Sequence, residues 1–576
     1  DYVLLSVPAR KTWVQKRSVS ITFILFAQEV ITLCRDEGYN FDGERKQLAE
    51  GDTASIRSAS DLLIALLDSL VETNICNFIE ARSQTENLSL HVDNASGKIS
   101  EQTILDTRRQ INHLVNQFED FFYGLADLHA LTPHAMLSDA VREKLAGNTV
   151  GLDPMKVIIS AIHTHTGPGY TGRGNSSGRF SSNSSGFRAL LEAELPAGKK
   201  YVESANVTAN PEIAQDDELL EFLSGQIAKA ALEAWAKRAP GGFSNAFGRA
   251  VVGMCRRVCY NDGSAQMWGN AETAKFTEIE GGNDSGIELM YVFNEKNELT
   301  GIVANLACPA QCVQHRLFVS PDFWGEAKML LRQHFGEHIF LLPQCSAAGD
   351  QCPVDLVRWV EPESDVNDPN LKRTNPHKRK ADPSMFDLSG MRKAGRRIAN
   401  EIIEVYNEDL DAPQTDPEFV HEVHMMQLPL RRTTFAEVAA ARRRIHDYLA
   451  EKPGDVDFND AAALQVDLGI LRREELQEVM DILDTECHII RLGTIAIASN
   501  PFELFLDYGN QIKARSYAEQ TFLIQLANGT EGYLPTEKAE KGGHYSAFIA
   551  SGLVGHVGGE QLVRETLKNI NRLFAE

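Results

Sequence analysis

Apolar and polar positions follow two textures along this chain. Over residues 1–124 the apolar positions recur at helical spacing. Leu62, Leu63, Leu66, Leu67 and Leu70 form one stripe, with Ser58 or Ser60 placed to cap it. Ile104, Ile111, Leu114, Val115, Phe118 and Phe121 form a second, which stops at Gly124. The apolar run 23–27 follows Lys11, Lys16 and Arg17, the outline of a signal peptide, but it lacks a small-x-small cleavage site and ends in Gln28-Glu29. It reads as a buried helix. Residues 1–124 are therefore expected to be a mainly helical N-terminal region, a candidate surface for a protein partner.

From about 125 the texture changes. Short Ile/Val-rich runs alternate with amphipathic stretches: a helix near 140–145, a strand at 157–162, a helix at 216–238, and strands at 286–294 and 301–307. A helix over 324–335, closed by Gly336, leads to a strand at 339–342. Strands follow near 489–499 and 521–527. This alternation predicts an α/β (mixed α+β) catalytic domain over 125–576.

Candidate chemistry gathers at predicted strand ends. The run Lys156-Val-Ile-Ile-Ser-Ala-Ile-His163-Thr-His165-Thr-Gly167-Pro168-Gly reads as a buried strand that ends in a turn. Strand alternation puts His163 and His165 on one side, an arrangement suited to a metal. Taken alone, a His-x-His is an ordinary polar strand end; the turn behind it and the partners further along raise its interest. The Gly/Ser-rich loop 167–187 reads equally as a lid or as plain surface. Arg256-Arg257 could polarise a carbonyl or stay solvated. His315 lies between a strand and a helix. The His334-Phe-Gly-Glu-His338 run matches a zinc-peptidase spacing, but Gly336 ends the helix and separates the two histidines. A strand delivers Gln344-Cys345-Ser-Ala-Ala-Gly349-Asp350-Gln-Cys352-Pro353, where Cys352 is either a nucleophile beside a histidine or a buried thiol in a tight turn. Asn500-Pro501-Phe502-Glu503 reads as a strand-to-helix junction with Asn500 as cap, making Glu503 a first-turn carboxylate or a ligand. Asn528-Gly-Thr-Glu-Gly-Tyr533-Leu-Pro-Thr536 and Gly-Gly-His544-Tyr545 follow.

Totals narrow the function classes. The net charge of −23 argues against a nucleic-acid partner, and no apolar run reaches the length of a membrane span. The basic clusters 378–380 and 442–444 read as a solvated loop and a charged helix face. Nine cysteines cannot all pair and read as small buried hydrophobes. Asn-x-Ser/Thr sequons at Asn87, Asn94, Asn175, Asn183, Asn206, Asn283 and Asn528 permit secretion without showing it, so the compartment stays open.

His-Thr-His-Thr-Gly-Pro-Gly, Ala-Gly-Asp-x-x-Pro, Pro-Phe-Glu and Gly-Tyr-Leu-Pro-Thr-Glu occur in this order, and together they resemble the neutral/alkaline ceramidase family over roughly 125–576. The resemblance implies a zinc amidase. Its metal ligands would be His163, Glu503, Tyr533 and a second histidine. That histidine is expected near Cys308-Pro309, where none occurs; His315 is the nearest candidate, and Cys308 or Cys312 could supply a thiolate instead. By motif position His165 would contact substrate and pass a proton, Arg256 would polarise the carbonyl, and Tyr545 would lie at the reacting amide. Cys352 stands where the family has its serine. The family's small C-terminal β-domain has no counterpart in this sequence, and residues 1–124 do not resemble the family's opening. The implied reaction is hydrolysis of a small-molecule or lipid N-acyl amide by zinc-activated water. The alternatives are a metal-free thiol hydrolase using Cys352, and a catalytically dead scaffold on the same fold.

Overall fold

The alternation of strands and helices becomes two four-stranded sheets that face each other, with helices on both outer sides. This computed structural model describes residues 3–9, 19–25, 30–34, 136–167, 185–202, 216–314, 316, 318–357, 387–408 and 410–575. It divides into two compact units, Asp1–Thr132 and Pro133–Glu576.

In the first unit the described residues form a three-stranded antiparallel sheet, Val3–Ala9, Val19–Leu25 and Val30–Cys34. The 23–27 run is thus not the buried helix its apolarity suggests, because residues 23–25 belong to the central strand. Val19, Ile21, Thr22 and Ile24 favour extended backbone, and both neighbouring strands pair with this one in register. The two helices expected around Leu62–Leu70 and Ile104–Phe121 lie outside the described residues.

In the second unit the first sheet runs in the order Phe340–Cys345, Leu299–Leu306, Gly286–Asn294, Gly241–Arg249, with only the first pair parallel. The second runs Phe419–Pro429, Ile482–Leu492, Ile495–Ser499, Gln520–Ile524, with only the last pair parallel. Side chains alternate across each strand. Leu289, Tyr291 and Phe293 therefore pack against the helices Phe323–Phe335 and Asp387–Glu408, while Met290 joins Phe243, Val303, Ile495 and Phe522 between the sheets. On the far side the helices Leu506–Arg515 and His556–Phe574 cover the second sheet through Tyr508, Ile512, Leu562, Leu567 and Ile570. A separate helical cluster, Ser185–Ala193, Phe435–Glu451, Phe458–Ala463 and Gln465–Val479, has its own apolar centre. The unit is mixed α/β, as the pattern predicts.

The parallel strands of both sheets end side by side. Ser346 N–H donates to Leu306 O (2.9 Å), and Gln525 N–H donates to Cys345 O (3.0 Å). Loops leaving these carboxyl ends carry three of the four sequence motifs, those around Gly349-Asp350, Glu503 and Tyr533, which is where open α/β sheets place their ligands. Gly336 closes its helix with a φ of 107°. No helix among the described residues is long and apolar enough to cross a membrane.

Candidate active site

Glu503 and Tyr533 meet because two very short strands pair in parallel, Glu503–Leu504 with Tyr533–Leu534, and the two residues are direct partners in the register. The helix after Glu503 does not begin where the Asn500-Pro501 pair suggests. Asn500 Oδ1 accepts instead from Phe502 N–H (3.1 Å), a local turn, and the helix starts only at Leu506. Asp350 Oδ1 accepts the Leu506 N–H (2.9 Å), so the Gly349-Asp350 turn supplies what Asn500 was expected to. Gly349 has to be glycine here: a Cβ on it would stand 2.3 Å from Glu503 O.

The segment carrying His163 is extended but is not the core strand its Ile/Val content predicts. It forms one antiparallel bridge, Ser160 with Ala527, and stays half-buried. Polar groups replace the missing ladder. Asn528 Oδ1 accepts from Ile159 N–H (2.7 Å) and Asn528 N–H donates to Ile159 O (2.8 Å). The Asn528 amide also donates to Glu486 Oε1 (2.9 Å) and contacts His488 Nε2 (2.9 Å). Arg142 pairs with both oxygens of Glu486 (2.9 and 2.6 Å). At the end of this clamped segment His163 takes a φ of 57°, which breaks strand alternation. The His163 and His165 rings still lie 5.0 Å apart, and His165 N–H is tied to Ala310 O (3.1 Å).

Burial pushes the Glu486 carboxyl up, but hydrogen bonds from His488 and Arg142 outweigh it and hold the group well below its ordinary value of 4.5. A depressed carboxyl stabilises the fold above that ordinary value, and the contribution disappears as pH falls toward the folded-state value. Melting temperature should therefore drop more steeply below about pH 4.5 in the wild type than in Glu486→Gln, which lacks the titrating group. Parallel slopes in a thermal scan from pH 6 to pH 3 would contradict this.

Five of the sequence candidates converge. His163 Nε2 lies 3.8 Å from Glu503 Oε2. Glu503 accepts a hydrogen bond from Tyr533. Arg256 reaches the Tyr533 hydroxyl (3.4 Å), Gly349 O (3.1 Å) and Gln311 Oε1 (3.4 Å). Tyr545 closes the group from outside: its hydroxyl is 3.4 Å from that of Tyr533, and the residue is 51% exposed. Arg256 and Arg257 are both buried, not solvated. Arg256 comes from the end of a two-residue strand, Met254–Cys255, which pairs with Gln351–Cys352.

The electrostatics are those of a desolvated site. Burial, then the Arg256 charge, lowers His163 to about 3, so its ring is neutral. Burial raises Glu503 to about 7 against the opposing pull of Arg256 and Tyr533. Glu503 Oε2 and His163 Nδ1 are both buried without a hydrogen-bond partner. A neutral imidazole facing an unpartnered carboxylate oxygen, with a phenol on the carboxylate, fits a divalent cation such as zinc. Among the described residues no group of three His, Cys, Asp or Glu side chains could hold a metal ion; the phenol is the third donor at hand. His315 lies outside the described residues. Cys308 and Cys312 are buried, and burial first of all raises both thiols well above their ordinary range. Cys308 Sγ is directed to Pro309 O (3.4 Å).

Cys352 is fully buried, and burial pushes its thiol up to about 12. Its sulfur contacts Val354 O and Val354 N (3.4 Å each). Two site neighbours escaped sequence reading. Gln311 accepts from Arg256, and Gln314 hydrogen-bonds His165. Both sit in the Cys308–His315 segment, but a glutamine carries no spacing signal of its own.

No protein-family model matches the chain. No curated protein matches it in sequence. Among solved structures it is similar to the neutral ceramidase from Pseudomonas aeruginosa, with a TM-score of 0.46 and 14% identity over 76% of this chain. A ceramidase complexed with C2 gives the same TM-score at 13% identity. This chain spans 65% of the length of each.

Proposed function

We propose that this protein hydrolyses an N-acyl amide, with a zinc ion at His163, Glu503 and Tyr533 and with His315 as the fourth protein donor. The observation that carries the reading is Glu503 Oε2, buried without a hydrogen-bond partner and 3.8 Å from His163 Nε2, set beside the buried guanidinium of Arg256. When bound, zinc supplies a Lewis acid and an activated water. The chain's own residues do the rest. Arg256, fixed on Gly349 O and Gln311, presents positive charge where negative charge grows on the carbonyl oxygen. Tyr545, at the exposed rim, offers a hydroxyl to the same oxygen. His165 stands two residues beyond His163 and passes a proton to the leaving amine. Asp350 holds both the turn and the start of the helix behind Glu503, accepting from Arg256 N–H through its backbone carbonyl (2.9 Å) and from Leu506 N–H through its side chain. The substrate is a small-molecule or lipid amide entering past Tyr545; a ceramide-like amide is the first to try.

A fully buried thiol held near 12 is not a thiolate at neutral pH, which speaks against attack by Cys352. Hydrolysis of a fluorogenic N-acyl amide is accordingly expected to survive iodoacetamide and to stop with a strong chelator, returning with zinc. The opposite pattern would exchange the metal reading for the thiol one. Elemental analysis of wild type and His315→Ala in parallel identifies the doubtful donor: about one zinc per chain, lost in the variant, is expected. Zinc retained in the variant would move the fourth donor to Cys308 or Cys312. No zinc in either protein after reconstitution would leave the metal-free thiol hydrolase or a non-enzymatic scaffold, the latter with residues 1–124 as its partner-binding region.

A further inference from the structure

The residue next to Arg256 points the other way and grips the loop that carries Tyr545. We propose that Arg257 is a positioning residue that sets Tyr545 over the site, an inference that rests on the amide-hydrolase reading above. Arg257 is completely buried. Its Nε donates to Glu280 Oε1 (2.6 Å), and Glu280 is itself buried. One terminal nitrogen donates to Tyr545 O (3.0 Å) and Ser546 Oγ (3.3 Å). The other donates to Gly543 O (2.8 Å) and Ala539 O (3.3 Å). One guanidinium thus fixes the end of the helix Glu537–Gly542 and both sides of Tyr545.

The loop needs such a grip. Gly543, His544 and Ser546 all have positive φ, 73°, 71° and 72°. Two of them are not glycine, and such backbone persists only where its surroundings over-determine it. Met267 N–H gives a second hold through His544 Nδ1 (3.2 Å). The Tyr545 side chain cannot fix itself. It is half exposed, and its contacts in the site are an edge-on ring (5.4 Å, 72°) and a 3.4 Å hydroxyl approach, both to Tyr533. Its place is set by its own backbone, which Arg257 holds. Because Arg256 and Arg257 are consecutive in the chain, the loop and the carbonyl-polarising group share one anchor. Lysine keeps the charge but cannot donate in this forked pattern.

The test uses the full-length, zinc-loaded protein and a fluorogenic N-acyl aminocoumarin. In Arg257→Lys, kcat should fall roughly 10- to 100-fold while KM moves little, the signature of a misplaced group. Ser546→Ala, which removes one acceptor and leaves the arginine in place, should show the same split to a smaller degree and keeps the test open if Arg257→Lys folds poorly. In a Tyr545→Phe background, Arg257→Lys should cost no further kcat, because the hydroxyl it positions is already gone. A full additional loss there would make Arg257 a structural residue only and overturn the proposal. A readout independent of turnover is the 3-fluorotyrosine resonance of Tyr545, assigned by its disappearance in Tyr545→Phe. It should shift or split in Arg257→Lys. An unchanged resonance overturns the proposal whatever the activity, whereas a wild type that cleaves no amide overturns the functional reading and leaves the resonance to judge the positioning.

Discussion

Glu503→Gln should abolish amide hydrolysis without weakening the fold. The substitution keeps the shape of the side chain and its contact with Tyr533, but it removes the anionic oxygen that faces His163 at 3.8 Å. Loss of a residue that merely supports a ligand already costs roughly 10- to 100-fold in metal affinity or activity, so loss of the ligand itself should exceed that. Bound zinc should fall with it. Stability should move the other way. A buried carboxyl raised to about 7 is a burden on the folded state at neutral pH: its raised value makes the fold lose stability as pH climbs through that value. The neutral amide is free of this burden, so the metal-free variant should melt at or above the temperature of the metal-free wild type. Thermal scans with and without chelator, beside kcat/KM and zinc content, make the comparison. Wild-type turnover in Glu503→Gln, or in His163→Ala, would end the metal-site reading.

Arg256→Lys should lower kcat by about 10²–10³-fold with KM nearly unchanged, the loss associated with one preorganised donor to a developing oxyanion, ~3 kcal/mol. The buried guanidinium divides its donors between Gly349 O, Gln311 and Tyr533. An ammonium on a flexible stem cannot reach all three acceptors and also face the substrate. If the arginine served only to hold the Gly349 turn, the same substitution would raise KM and lower the melting temperature together, and kcat would fall in step with the folded fraction. Measuring all three on one preparation separates the two roles.

Much of this site could be read in the sequence because its residues sit where strands end, and strand ends are written as apolar runs followed by turn residues. The helix Phe323–Phe335, the strand before Cys345, the pair Gly286–Asn294 with Leu299–Leu306, and the turn between Ile489 and Ser499 that joins the strands Ile482–Leu492 and Ile495–Ser499 follow from periodicity alone, although the first of those two strands begins seven residues earlier than the pattern shows. Three features did not. The 157–162 run is as apolar as a core strand, yet it is held by the polar side chain of Asn528, a long-range partner that no local pattern announces. The Asn500-Pro501 pair has the chemistry of a helix cap, but a pairing thirty residues downstream pulled Glu503 into a strand first. The buried state of Arg256 and Arg257 depends on carbonyl groups from turns at 349 and 539–545, and backbone acceptors leave no trace in side-chain composition.

Asn528 belongs to an Asn-Gly-Thr sequon, and in the folded chain its amide nitrogen is committed to Glu486. A sugar on that nitrogen would need solvent where the clamp on Ile159 now stands. In a host that glycosylates nascent chains, sugar transfer at Asn528 and closure of the clamp would compete for the same atom. Molecules carrying a glycan there would be a fraction unable to seat the segment that delivers His163, and their share of a secreted preparation, read by mass spectrometry of the Asn528 peptide, would measure how often attachment outran folding.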